Sequence, residues 1–176
     1  EEWTKWYAKK GYPNALSAFL QFRPGHLSRL PKEADKRGAF ATPRSWEKLA
    51  ECYDAATTQD MVFDVARGLV GEGVATELMA FIRTMDKLPN PKEVLEDPVG
   101  SLGNKPIREP DKLIAIVTGI AEHATIMKRK DAPLLFMRAL AHICSESFEY
   151  AGTAVTTYVN RGGDLKSLVK VIRSNQ

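Results

Sequence analysis

The stretch that decides the fold is LLFMRALAHIC, residues 134–144. Its apolar residues lie nearly all the way around a helix rather than along one stripe. That distribution is typical of a helix buried in the middle of a core. We therefore expect a central helix here, with other helices packed around it.

The segments on either side of this stretch also repeat at the helical period, and no stretch alternates convincingly at period two. Asp60 and Asp164 are expected to cap two of the helices, and a short helix is expected around residues 92–96. The sequence therefore predicts an all-α fold, a multi-helix bundle of about nine helices. The last two apolar stripes are expected to face inward and consist of Phe148, Ala151, Val155, Tyr158 and Val159, and of Leu165, Leu168, Val169 and Ile172.

Proline, glycine and charged residues divide the chain into segments. Residues 1–25 are expected to be helical, and residues 26–42 are expected to form a long loop, of a length that is often functional. Residues 43–98 are expected to form a helical region. The stretch 99–110 contains several glycines and prolines and is expected to be a linker. Residues 111–176 are expected to form a C-terminal helical subdomain packed on the preceding region.

Composition excludes several classes of protein. The 44% hydrophobic and 27% charged residues are ordinary for a globular chain, and a net charge of +3 does not by itself indicate nucleic-acid binding. No apolar run approaches the roughly 20 residues of a membrane span. The two cysteines lie in apolar helical patterns, which favours a reducing cytoplasm, and the three histidines share no metal spacing with them. Because the chain starts at Glu1 inside an amphipathic pattern, we expect a fragment of a longer protein.

Catalytic motifs are mostly missing. There is no G-x-x-x-x-G-K-[ST] loop, so the chain is not a complete nucleotide hydrolase. GLVGEGVA, residues 68–75, has helical flanks and no lysine, and we expect a plain turn between helices. A strip formed by Arg138, His142, Ser145 and Glu149, if the helix continues through Ser145, is expected to be a polar edge. Cys144 is expected to be a buried small residue.

Two groups of basic residues, one at residues 128–130 and one formed by Lys166, Lys170 and Arg173, lie near expected helix C-termini. Cations there complement the helix dipole, so a structural role is favoured. A nucleic-acid patch is the less favoured alternative.

One residue conflicts with its local surroundings. Thr42 and Pro43 are expected to be the N-cap and first residue of a helix, which puts Arg44 in the first turn. A cation there is disfavoured by about 0.3–1 kcal/mol. On a helical wheel, Arg44 faces away from the apolar stripe and shares its side with Lys48. Either an anion such as phosphate binds at Arg44 and Lys48, or Arg44 is an ordinary surface arginine.

Several stretches taken together resemble the C-terminal part of MoxR-like AAA+ ATPases over roughly residues 1–98. They are WTKWYAKKGYPNALSAFLQFRPGHL, ADKRGAFATPRSWEKLAECYDAA, VGEGVATELMAFI and LPNPKEVLEDP. The resemblance implies that residues 1–25 are the tail of the nucleotide-binding core and 43–98 a helical lid. In that family a P-R-x-W element opens the lid helix, which makes Arg44 the sensor-2 candidate that reaches the γ-phosphate.

The resemblance also implies partners. ATP with Mg²⁺ would be held by an N-terminal P-loop domain of the same longer chain, in a homo-oligomeric ring that acts on an unknown protein substrate. The present chain would bind no nucleotide alone and would be inactive alone. Arg29 and Arg37 would face nucleotide or a neighbouring subunit, or be solvated loop charges. The alternative is a free-standing helical interaction module for a protein or, less favoured, nucleic acid.

Overall fold

The fold is all-α, as the sequence predicted. The computed structural model describes residues 2–29 and 38–174, and within those ranges there are helices and turns but no strand. The chain divides into two compact units, Glu1–Asp86 and Lys87–Gln176. In the described residues, no helix has both the length and the apolar character needed to cross a bilayer.

The first unit is built around one aromatic core. Its helix α4 (Gln59–Val70) packs against both α3 (Pro43–Tyr53) and α5 (Glu72–Met85), and α2 (Asn14–Phe22) packs against α5. Trp46 is fully buried, and its ring contacts that of Phe19, which in turn contacts Phe81. The helices are α1 (Glu2–Lys9), α2 (Asn14–Phe22), α3 (Pro43–Tyr53), α4 (Gln59–Val70) and α5 (Glu72–Met85), with a 3-10 turn at Pro24–His26.

The structure confirms the predicted N-cap of α3 and corrects the predicted N-cap of α4. Thr42 caps α3: its hydroxyl accepts from the Ser45 amide at 3.1 Å, and the Ser45 hydroxyl accepts from the Thr42 amide at 2.8 Å. The prediction that Asp60 caps α4 was wrong. Thr58 has the extended backbone of a cap and accepts from the Met61 amide at 3.2 Å, so Asp60 lies in the first turn.

A single glycine joins α4 and α5, which confirms the predicted turn at residues 68–75. Gly71 has φ of 92°, a backbone conformation that side chains with a Cβ rarely adopt. A Cβ there would lie 2.6 Å from the carbonyl oxygen of Ala39, so the turn also requires the missing side chain for space.

In the second unit the stretch that indicated a central helix forms α9 (Ala132–Ile143), which packs against four other helices, but α8 (Pro110–Ile126) is the more completely buried of the two. In α8 every residue from Leu113 to Ala121 is buried, whereas α9 leaves Leu134, Arg138 and Ala141 exposed. Small residues allow neighbouring residues to pack closely on α8, since Gly119 lies against Pro91. The buried Thr118 hydroxyl is satisfied within the helix, because it donates to the Ile114 carbonyl at 2.7 Å. The helices are α6 (Pro91–Glu96), α7 (Pro98–Leu102), α8 (Pro110–Ile126), α9 (Ala132–Ile143), α10 (Glu149–Asn160) and α11 (Leu165–Ser174).

The boundary between the units differs from the predicted segments 43–98 and 99–110. The units divide after Asp86, and α6 inserts Val94 and Leu95 into the core of the second unit. α7 forms at the start of the stretch expected to be a linker. Proline is well tolerated at the first position of a helix. In this stretch it therefore begins short packed helices rather than marking an unstructured linker.

Two predicted inward stripes are only partly buried. In α10, Ala154 and Tyr158 are buried, but Phe148 just before the helix is 77% exposed and Val159 is also exposed. In α11, Leu168 alone of the four predicted residues is buried. Both predictions were therefore partly wrong, because a stripe on a wheel does not say how much of it a neighbouring helix covers.

Candidate functional site

Arg44 is an exposed residue in the first turn of α3, two positions after the Thr42 cap. Among the described residues it has no hydrogen bond and no ion pair, including none with Glu47. The first turn that carries it is held by the Thr42–Ser45 capping box and by the buried Trp46. Arg44 is therefore a cation on a rigid helix end, with its charge left uncompensated by the part of the chain described.

Lys48 is the other predicted site residue, and its ammonium has a partner. Its Nζ donates to Glu51 Oε2 at 2.8 Å on the surface of α3. This hydrogen bond raises the pKa of Lys48, while the nearby positive charge of Arg44 acts to lower it. The two side chains are thus close enough to repel, but only Arg44 lacks an acidic partner among the described residues.

A cavity of about 470 Å³ lies in the first unit, beside the 3-10 turn. Arg23, His26 and Arg29 line it around Glu77 of α5. His26 Nε2 lies 3.0 Å and Arg23 Nε 3.5 Å from Glu77 Oε2. The hydrogen bond from His26, with the charges of His26, Arg23 and Arg29, lowers the pKa of Glu77.

Hydrogen bonds to backbone carbonyls connect the residues of this cavity to the start of α3. The indole of Trp46 donates to the His26 carbonyl at 2.8 Å, and the imidazole of His26 stacks on Phe19. The Arg29 amide donates to the carbonyl of Ala41, the residue before the α3 cap, at 2.9 Å. Sequence reasoning missed Arg23, His26 and Glu77, because Glu77 is on a solvent face 51 residues away from His26. Arg37, the other predicted loop arginine, lies outside the described residues.

The polar side chains of α9 form a structural edge, as predicted. Fewer residues belong to this edge than the sequence spacing suggested. α9 ends at Ile143, so Ser145 and Glu149 do not continue its face. Arg138 Nη2 donates to the Glu96 carbonyl at 2.7 Å, and His142 Nε2 lies 2.9 Å from the carbonyl oxygen of Gly103.

Cys144, at the end of α9, is buried, and burial raises the pKa of its thiol to about 11. A thiol with that pKa is protonated near neutral pH and is a poor nucleophile. Within residues 2–29 and 38–174, no three or more His, Cys, Asp or Glu side chains are grouped to hold a metal ion.

The two basic groups differ in their partners. In the group at residues 128–130, Arg129 is bound to Asp131 at 2.7 Å and to Glu96 at 3.3 Å. In the α11 group, Lys170 and Arg173 are exposed and have no ion pair with a described residue.

Comparison with known proteins gives no assignment. No protein-family model matches the sequence, and no curated protein or solved structure is significantly similar to it. The functional argument therefore depends on the residues of this chain.

Proposed function

We propose that the chain is the lid and C-terminal helical region of an AAA+ ATPase similar to the MoxR-like members, with Arg44 as its sensor-2 residue. In this proposal Arg44 contacts the γ-phosphate of ATP, held with Mg²⁺ by a P-loop domain upstream in the same protein. The observation that carries the proposal is the exposed Arg44 guanidinium, which has no partner among the described residues at the positive end of α3.

Electrostatics favours an external anion at this position. The N-terminus of α3 carries roughly half a positive charge from its unpaired N–H groups, and Arg44 and Lys48 add to the same field. A phosphate would be attracted by all three, and the planar guanidinium matches two phosphate oxygens at once. Lys48 is already paired with Glu51, so Lys48 contributes less than Arg44.

The packing around α3 suits a residue that reports on a ligand. The capping box fixes the first turn, and Trp46, two residues after Arg44, is fully buried in the core of the first unit. A force on the Arg44 side chain is therefore passed to packed helices rather than absorbed by a loop. Loss of the γ-phosphate contact after hydrolysis would then release the lid and move an attached partner.

The proposal includes a homo-oligomeric ring, a protein substrate of unknown identity and a cytoplasmic location for the parent protein. It also requires the chain to be inactive alone, because no P-loop is present in its sequence. Robust ATP turnover by the purified chain would contradict the proposal. A Walker A lysine encoded upstream of Glu1 would support it, and a start codon directly before Glu1 would refute it.

The direct experiment is ATP hydrolysis by the longer protein with Arg44→Ala. A hydrogen bond to a charged group is worth about 1.5–3 kcal/mol, so we expect hydrolysis to fall by about tenfold or more. The matched control is Arg83→Ala, which removes another exposed arginine from the same unit, in the last turn of α5. A rate for Arg44→Ala equal to that of the control would remove the sensor role.

A second candidate function is a free-standing helical interaction module. The observation that favours it is the exposed apolar surface of α11 in the second unit, where Leu165 is 50% and Ile172 46% exposed. One observation separates the two functions: a lid requires a Walker A lysine encoded upstream of Glu1, whereas a free-standing module does not.

A further inference from the structure

An apolar stripe on α11 is left uncovered in the second unit. Leu165, Val169 and Ile172 are 50%, 38% and 46% exposed, whereas Leu168 is 2% exposed. At about 100° per residue, the three exposed side chains lie within an arc of about 60°. α11 packs on α9. The buried Leu168 lies about 40° around the helix from Ile172, at one edge of the same apolar face, so the second unit covers that edge and leaves the other three side chains exposed.

A basic strip runs along one flank of this stripe. Lys166, Lys170 and Arg173 are all exposed and lie about 100° around the helix from its centre. Asp164 lies near Lys166, but its carboxylate is engaged in capping α11 through the amides of Lys166 and Ser167. The strip therefore presents a positive edge beside the apolar stripe.

The spacing of the three exposed apolar residues indicates that the stripe packs against a helix. Steps of four and then three residues, from Leu165 to Val169 to Ile172, are the spacing of a coiled-coil seam. In that register Lys166 and Arg173 occupy the flanking positions whose charges select a partner helix. A partner helix that complements Lys166 and Arg173 carries acidic residues at its own flanking positions.

Other occupants fit this surface less well. A bilayer surface favours a broad apolar face, whereas this seam is narrow. Nucleic acid would use the basic strip and leave the apolar stripe exposed to water. A second copy of α11 packed antiparallel would place the basic residues of the two copies next to one another along the seam.

We propose that α11 binds an amphipathic helix of a partner protein whose apolar seam is flanked by glutamate or aspartate. The helix docks on Leu165, Val169 and Ile172, and its acidic residues pair with Lys166 and Arg173. This inference does not depend on Arg44, so it stands or fails separately from the proposed nucleotide role.

The test uses a fluorescein-labelled synthetic peptide of three heptads, with leucine at the seam and glutamate at the flanking positions. Repulsion between its glutamates limits pairing of the peptide with itself. Fluorescence anisotropy with the full chain is expected to give saturable binding with Kd below about 100 µM. The same peptide with lysine at the flanking positions is expected not to bind.

Three variants, one of them a control, separate charge from packing. Lys166→Glu with Arg173→Glu is expected to weaken binding about tenfold or more, because like charges then face one another. Lys128→Glu with Lys130→Glu makes the same change of charge on exposed residues outside α11 and is expected to have no effect. Val169→Ser, at an exposed position, is also expected to weaken binding, and circular dichroism checks that the variant is folded.

Five results would overturn the inference. Four of them are absence of peptide binding, equal loss of binding in the Lys128/Lys130 variant, concentration-dependent dimerisation of the chain lost with Val169→Ser, and sedimentation with phosphatidylserine vesicles lost with the α11 variants. Salt-sensitive binding of duplex DNA lost with Lys166→Glu and Arg173→Glu, without peptide binding, would equally overturn it.

Discussion

Replacing Arg44 by alanine is expected to stabilise the first unit. Arg44 carries a positive charge into the positive end of α3, where a cation is disfavoured by about 0.3–1 kcal/mol. No acid among the described residues forms an ion pair with Arg44, and Lys48 adds repulsion of the same sign. We therefore expect the free energy of unfolding to rise by about 0.3–1 kcal/mol at low ionic strength.

Urea unfolding followed by tryptophan fluorescence measures this change. All three tryptophans, Trp3, Trp6 and Trp46, lie in the first unit, so the signal reports that unit alone. With an m value of about 1.5 kcal/mol/M, the midpoint is expected to rise by about 0.2–0.7 M. The gain is expected to vanish in 1 M NaCl, where the Debye length is about 3 Å.

Arg83→Ala is the matched control, with an effect of opposite sign. Arg83 is an exposed arginine in the last turn of α5, where a cation complements the dipole. Its loss is expected to destabilise the first unit by about 0.3–1 kcal/mol. If Arg44→Ala instead lowers the midpoint as Arg83→Ala does, Arg44 is compensated within the chain and the argument for an external anion fails.

Three further predictions concern the fold and its ionisable groups. Gly71→Ala is expected to cost the first unit about 1–3 kcal/mol in the same urea assay, whereas Gly68→Ala, in open space inside α4, is expected to gain about 0.5–1 kcal/mol; a neutral Gly71→Ala would contradict the turn geometry. Because the pKa of Glu77 is lowered on folding, its stabilisation is present at neutral pH and lost as the pH falls through the folded pKa. Glu77→Gln is thus expected to lower the midpoint at pH 7 and to match the wild type at pH values well below 4; an equal deficit at both would argue against the ion pair. A thiol reagent at pH 8 is expected to modify the exposed Cys52 quickly and Cys144 only on unfolding, and rapid reaction of both thiols would contradict the burial.

Local features of the fold were predictable from the sequence, because they depend on neighbouring residues. The Thr42 cap, the turn at Gly71 and the Asp164 cap all involve contacts within a few residues. The more complete burial of α8 was missed for the opposite reason. Burial of its residues 113–121 depends on small residues that admit other helices, whereas apolar content alone favoured α9.

The candidate site was predictable only where charge conflicts with helix geometry. The position of Arg44 against the dipole is visible in the sequence, since Thr42 and Pro43 mark the start of the helix. The pairing of His26 with Glu77 was not, because it joins residues 51 positions apart and no pattern connects them. The uncovered face of α11 was hidden for a similar reason, since its apolar stripe resembles that of a buried helix.

The most direct test of the proposed sensor role compares the affinities of the longer protein for ATP and for ADP. Arg44 is proposed to contact only the γ-phosphate, so Arg44→Ala is expected to weaken ATP binding by about tenfold to a hundredfold. ADP affinity is expected to stay within about twofold, and Arg83→Ala is expected to change neither. An Arg44→Ala protein that keeps its preference for ATP, or loses both affinities equally, would contradict the proposal.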